Sequence, residues 1–284
     1  MAQFIFRERI FDVGCLMAGA VGRAFGFSMR RPIFIVGTGR CGTTLLVDLL
    51  KSNPQLVGFP GEANEVWHPA LEPFDTAQVD IPPIEVDPRR FTKISVANWP
   101  SNYRNRIRDI FTGFHLLAGP SKIFFTKSAM ISFLIPEILE IFPDARFIHI
   151  YRYGPSVVES YFKKNFGKYL KYKFSESEYR NHCANYWNTC ILEITETSER
   201  MSLVEKGQFL EFSYEELCMY PLRILADLAS FLGVDVGRFG YDVSKISSQN
   251  YKARDYRTTP ENALLFDVMS SGMRLKGYLP GDVL

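Results

Sequence analysis

The run Pro32-Ile33-Phe34-Ile35-Val36-Gly37-Thr38-Gly39-Arg40-Cys41-Gly42-Thr43-Thr44-Leu45-Leu46 carries the chemistry of this chain most plainly: an apolar strand turns through three glycines into a helix. Gly37, Gly39 and Gly42 permit tight bends and close backbone approach, and the first amides of the helix present unpaired N–H groups and a positive dipole end. That is the geometry of a phosphate cradle. The spacing Gly37-x4-Gly42 is that of a phosphate loop, yet Thr43 stands where a nucleoside triphosphatase needs the lysine that reaches the outer phosphates. The loop therefore suits a single phosphate held by amides and hydroxyls, with Arg40 as a fixed cation beside a leaving oxygen. A second cation, Arg152, ends the apolar run from Phe147 to Tyr151, just ahead of a helix opened by Pro155. Its planar guanidinium can meet two phosphate oxygens at once.

The loop resembles the cofactor loop of sulfotransferases, which draw a sulfuryl group from 3′-phosphoadenosine 5′-phosphosulfate (PAPS) and leave 3′-phosphoadenosine 5′-phosphate (PAP). Gly-x-x-Arg-Ser-Gly-Thr-Thr is a common wording there, and Cys41 replaces the serine here. The resemblance implies that Gly39, Arg40, Cys41, Gly42, Thr43 and Thr44 hold the 5′-phosphate. In that family an arginine and a serine eight residues later clamp the 3′-phosphate; Arg152 and Ser160 keep this interval, and Lys164 lies one turn further on. Tyr153 stands where an aspartate often follows the arginine, which leaves the orientation of this loop open. Lys127, closing Phe124-Phe125-Thr126-Lys127, resembles the strand-end lysine that faces the cofactor. The stretch from Leu210 to Leu217 resembles a Tyr-Glu-Asp-Leu segment, which implies Tyr214 as an adenosine contact. Ser247, Ser248, Lys252 and Arg254 fall where relatives close a loop over the nucleotide, and the whole agreement runs from Pro32 to Leu279.

Transfer to a hydroxyl needs a base. Gly61-Glu62-Ala63-Asn64-Glu65-Val66-Trp67-His68 is similar to the segment in which tyrosylprotein and some carbohydrate sulfotransferases place a glutamate base. Glu62 is the first candidate, Glu65 the second and His68 the third; a helix-start glutamate facing solvent is the plain alternative. Lys127 and Arg40 would stabilise the bridging oxygen and the sulfuryl group as charge develops, with no metal, or would serve in binding alone. The implied partner is an acceptor with a hydroxyl group, a carbohydrate or small metabolite before others. Three rival readings exist, one of them a P-loop kinase or nucleoside triphosphatase, which the missing lysine at Thr43 disfavours. Gly37-x-Gly39-x-x-Gly42, with Glu62 twenty residues later, is also the fingerprint of an NAD(P)-dependent oxidoreductase. A non-catalytic PAP-binding protein would share every phosphate contact.

Positioning these groups requires strands ending at one edge. Strand candidates at Ile33–Val36, Leu56–Phe59, Ile123–Thr126, Arg146–Tyr151 and Phe209–Phe212 alternate with helical stretches. This order predicts a single α/β domain with a central parallel sheet flanked by helices, in the manner of the P-loop NTPases. Arg40, Lys127 and Arg152 would then converge at the carboxyl ends of the strands. Residues 31–284 form this domain, with a Pro-rich insertion around 69–100 that could gate substrate, and residues 1–30 form a helical extension. The stretch Ser175–Met201 is expected as a solvated amphipathic helix, or alternatively a wall of the acceptor site.

A net charge of +2 over 284 residues excludes the strong field of a dedicated nucleic-acid binder. Five scattered cysteines lack the spacing of a zinc site or disulfide framework and point to reducing, cytoplasmic surroundings. Cys41 is expected as a small-residue replacement, or alternatively as an activated thiol at a helix N-terminus. The mostly apolar span Ile10–Met29 is interrupted by Asp12 and Arg23. Each would cost roughly 2.5 to 3.5 kcal/mol at a bilayer centre, which disfavours a spanning helix and leaves peripheral membrane contact open.

Overall fold

The computed structural model describes residues 2–67, 84–89, 96, 99–167, 173–246 and 260–278, with side chains for all of these except 2–12, 65 and 260–264. Its centre is a five-stranded sheet, every strand parallel to its neighbours, in the order β2-β3-β1-β4-β5: β1 Ile33–Val36, β2 Leu56–Gly58, β3 Ile123–Lys127, β4 Arg146–Tyr151 and β5 Phe209–Ser213. All five coincide with the expected strands to within one residue at each end. The reason is composition: β1 is Ile-Phe-Ile-Val and buried throughout, as a parallel strand covered on both faces must be.

Helices flank the sheet. In chain order these are α1 Ala2–Ala24, α2 Thr43–Lys51, α3 Asn64–Trp67, α4 Tyr103–Ala118, α5 Ile135–Ile141, α6 Gly154–Asn165, α7 Glu176–Arg200, α8 Tyr214–Met219, α9 Pro221–Leu232 and α10 Pro260–Leu275. One core region is aromatic. Phe34 of β1 lies 6.0 Å from Trp67, 6.4 Å from Phe111 and 6.0 Å from Phe147, and Phe111 lies 5.4 Å from Phe124. Such pairs add about 0.5–1.5 kcal/mol each beyond area burial, and they lock α3 and α4 onto the strands.

The expectation of a solvated helix over Ser175–Met201 is corrected. α7 starts where expected, through a capping box in which Ser175 and Glu178 satisfy each other's backbone N–H. It then buries Tyr179, Cys183, Tyr186, Trp187, Cys190, Ile191 and Ile194 while packing against α6 and α10. Its apolar residues recur at helical spacing among many polar ones, so composition alone understated the buried face. The insertion expected around 69–100 falls mostly outside the described residues.

Candidate functional site

Because the strands are parallel, all five carboxyl ends share one edge. β3 and β4 lie on opposite sides of β1, the kind of position at which open parallel sheets bind ligands. Residues 37–42 occupy that position, joining β1 to α2. Ser132 tethers the entry to this loop: its hydroxyl accepts from the Gly37 N–H at 2.8 Å and donates to the Gly37 carbonyl at 3.1 Å. Gly42, at φ 102°, is the left-handed N-cap of α2 and supplies no side-chain cap, so the first-turn amides keep donors free for an anion. A methyl group there would also sit 2.4 Å from the ring of Tyr214.

Two non-glycine residues at this edge sit in the left-handed region, Arg40 at φ 68° and Ala63 at φ 53°. Such conformations cost about 1–3 kcal/mol each and persist only where the surroundings enforce them. For Arg40 one restraint is visible, since its Nε donates to Ser160 Oγ at 3.0 Å. That bond ties the glycine loop to α6, joining the two segments that the sequence marked separately.

Arg152 follows the last residue of β4. Trp187 Nε1 donates to its carbonyl at 3.0 Å, and its guanidinium carbon lies 4.5 Å from the centre of the Tyr214 ring. Its Nε is buried and makes no hydrogen bond among the described residues. A buried charged donor left open costs about 1–3 kcal/mol, which an oxyanion would recover. Tyr214 thus touches both Gly42 and Arg152, and burial pushes its phenol up to about 12, keeping it protonated at neutral pH. The residue expected at the adenosine thus lies between the glycine loop and Arg152.

Glu62 and Lys127 meet directly. Lys127 ends β3 beside Ile35 of β1, and its Nζ donates to Glu62 Oε1 at 2.5 Å. The lysine side chain is 15% exposed and the carboxylate 49%. Ser128 Oγ donates to Asn64 Oδ1 at 2.7 Å and accepts from Met130 N at 3.1 Å, a second stitch between the same two segments. Glu62 therefore stands in an ion pair at the strand ends while its carboxylate stays half exposed, as the solvent-facing alternative has it.

The other candidates divide. Thr43 is buried at the start of α2, Thr44 is exposed, and Lys164 is exposed near the end of α6. Cys41 is fully buried with its thiol directed at the Thr38 carbonyl. Burial pushes that thiol up to about 12, so the activated-thiol alternative is corrected. Glu65 lies in α3 with its side chain outside the described set, and His68, Ser247, Ser248, Lys252 and Arg254 lie outside the described residues altogether. Ser132, Trp187 and Glu215 escaped the sequence reading because their links to the site cross between distant segments. A buried serine after a strand is too common a signal to single out.

A sequence model described as "Sulfotransferase family" matches residues 32–238. No curated protein sequence matches the chain. Among solved structures, a sulfotransferase domain from the curacin biosynthetic pathway is similar at 17% identity, with a TM-score of 0.54 over 86% of this chain and 99% of that one. Sulfotransferase STF9 from Mycobacterium avium is similar at 12% identity and TM-score 0.58, over 93% and 83%. The sulfotransferase domain of the Synechococcus PCC 7002 olefin synthase is similar at 20% identity and TM-score 0.53, over 91% and 98%.

Proposed function

Because the chain belongs to the sulfotransferase family, we propose that it moves a sulfuryl group from PAPS to an acceptor hydroxyl at the carboxyl edge of its sheet. The observation that carries this reading is the single ring of Tyr214 in contact with both the phosphate loop at Gly42 and the guanidinium of Arg152, whose buried Nε has an open donor. Two anion sites braced by one side chain suit one ligand with two phosphate groups. Family membership sets aside the oxidoreductase alternative.

When bound, PAPS supplies the sulfuryl group and a phosphate leaving group. In this reading the amides of residues 39–44 and the Arg40 side chain hold the 5′-phosphate, while Arg152, Ser160 and Lys164 hold the 3′-phosphate. Glu62 accepts the proton of the acceptor hydroxyl as its oxygen bonds to sulfur and the sulfur–oxygen bond to the 5′-phosphate breaks. The electron pair of that bond stays on the phosphate oxygen. Lys127, already hydrogen-bonded to Glu62, offers an N–H to the charge that builds on the departing oxygen. No resident metal is part of this scheme. The acceptor is a carbohydrate or small hydroxylated metabolite. Incubation with radiolabelled PAPS across carbohydrate, small alcohol, lipid and tyrosyl-peptide acceptors is expected to label one of the first two. Binding of PAP without label transfer to any acceptor would favour the non-catalytic reading.

The N-terminal segment is assigned to an anionic membrane surface, for a cytoplasmic protein held at the bilayer. No helix among the described residues is long and apolar enough to cross a membrane. α1 turns its buried Cys15, Gly19 and Gly22 inward, and Arg23 forms two hydrogen bonds of 2.9 Å with Asp109 of α4. Its outer face is apolar too: Val13, Met17 and Val21, four residues apart, are 55%, 65% and 56% exposed, and Phe25 just beyond is 87% exposed. The first 31 residues carry five arginines against one glutamate and one aspartate, an excess larger than the +2 of the whole chain. Apolar residues beside clustered arginines fit the interface of an anionic bilayer. The expected result is sedimentation with phosphatidylserine-containing vesicles and not with phosphatidylcholine alone, lost in a Val13→Ser, Met17→Ser, Phe25→Ser variant. A dimer in solution that the same variant dissociates, without vesicle binding, would assign the face to a second copy of the chain.

A further inference from the structure

We infer that Glu215 is a positioning residue for the anion site, holding Arg152 in place through the Tyr153 amide, and that Tyr278 beyond α10 completes it. The inference rests on the reading of Arg152 as the 3′-phosphate arginine. Glu215 is the second residue of α8 and has no exposed surface, yet it carries a carboxylate. Both of its oxygens are engaged: Oε1 accepts from the Tyr153 N–H at 3.1 Å, and Oε2 accepts from the Tyr278 hydroxyl at 2.7 Å. Tyr278 is itself buried, and its ring stands 6.0 Å from that of Tyr151 and 5.5 Å from that of Tyr153, edge to face.

The peptide group on the carboxyl side of Arg152 is thereby held at both its carbonyl and its N–H. Trp187 of α7 grips the Arg152 carbonyl, and Glu215 grips the next amide. Tyr153 leaves the loop orientation open in the sequence because it brings no carboxylate of its own. The structure brings one from another segment, beside the very Tyr214 ring on which the Arg152 guanidinium rests. Burial raises the Glu215 carboxyl, while the Tyr278 hydroxyl, the Tyr153 amide and the Arg152 charge oppose the rise. A buried acid is retained in such a place when its two hydrogen bonds and a nearby cation compensate its desolvation. Because Tyr278 sits past the end of α10, the described C-terminal residues become part of the site's support.

The test compares binding of PAP with that of adenosine 5′-phosphate, which lacks the 3′-phosphate, by calorimetry on the full chain. The unmodified protein is expected to prefer PAP, and Arg152→Ala to lose that preference. In Glu215→Ala the preference is expected to fall about tenfold, with adenosine 5′-phosphate affinity unchanged. Glu215→Gln should restore most of it, since an amide oxygen still accepts from the Tyr153 N–H and its NH2 can meet the Tyr278 oxygen. Tyr278→Phe keeps the ring contacts and removes one hydrogen bond, for an expected threefold to fivefold loss, on the order of a modest hydrogen bond. If Arg152→Ala loses the preference and Tyr278→Phe and Glu215→Ala keep it, the positioning role is overturned while the phosphate reading stands. Should Glu215→Ala fail to fold, an unchanged preference in Tyr278→Phe overturns the role by itself. No preference for PAP in the unmodified protein would instead remove the phosphate reading beneath it.

Discussion

Glu62→Gln is expected to lower sulfuryl transfer by about 10²- to 10⁴-fold, the range over which a positioned general base acts, while PAP affinity stays within about twofold. The glutamine oxygen still accepts from Lys127 Nζ, so the contact between the two segments survives and the Ser128–Asn64 bond persists beside it. What disappears is the capacity to take a proton. Turnover in steady state and PAP binding by calorimetry, measured on the same preparation, separate the two effects. Full turnover in this variant would remove Glu62 as the base and pass the role to Glu65. A parallel loss of binding would make Glu62 a binding residue, acting through Lys127.

The second large effect is expected at Arg152→Ala, which should weaken PAP binding by a factor of about 30 or more, since truncating one partner of a buried charge-assisted contact typically costs 2–5 kcal/mol. The loss should be confined to ligands that carry the 3′-phosphate. It should not extend to the phosphate loop, whose restraints at Ser132 and Ser160 involve Gly37 and Arg40 alone. Unchanged PAP affinity would show that the open donor on Arg152 Nε serves something other than a phosphate, and the two-anchor reading would fail.

Much of this site is visible along the chain because its parts are local. A buried strand that ends in glycines and opens a helix must place amides at the strand end, and Ile33–Val36 followed by Gly37 to Gly42 does so. Lys127 and Arg152 were legible for the same reason, each standing where an apolar strand stops. Tyr214 was marked by its segment, while its packing within the protein was not visible there. Its position after β5 is local, whereas its contacts with Gly42 and Arg152 join three stretches of chain.

α7 shows the same division. Its start was written in Ser175 and Glu178, one turn apart, but its burial depends on α6 and α10 closing over Tyr186 and Trp187. Cys41 could be read as reactive or inert until the surrounding packing fixed its dielectric, because a helix N-terminus stabilises a thiolate and burial opposes it more strongly here.

By itself, then, the amino-acid order determined the strands, the glycine loop between β1 and α2 and the cations at the strand ends, since period, glycine placement and helix initiation act over a few neighbouring residues. Tertiary structure alone decided which carboxylate meets Lys127, which ring braces Arg152, and that Glu215 and Tyr278, 63 positions apart, share a hydrogen bond behind it. Such pairings depend on sheet order and helix packing, and no local pattern along the chain encodes them.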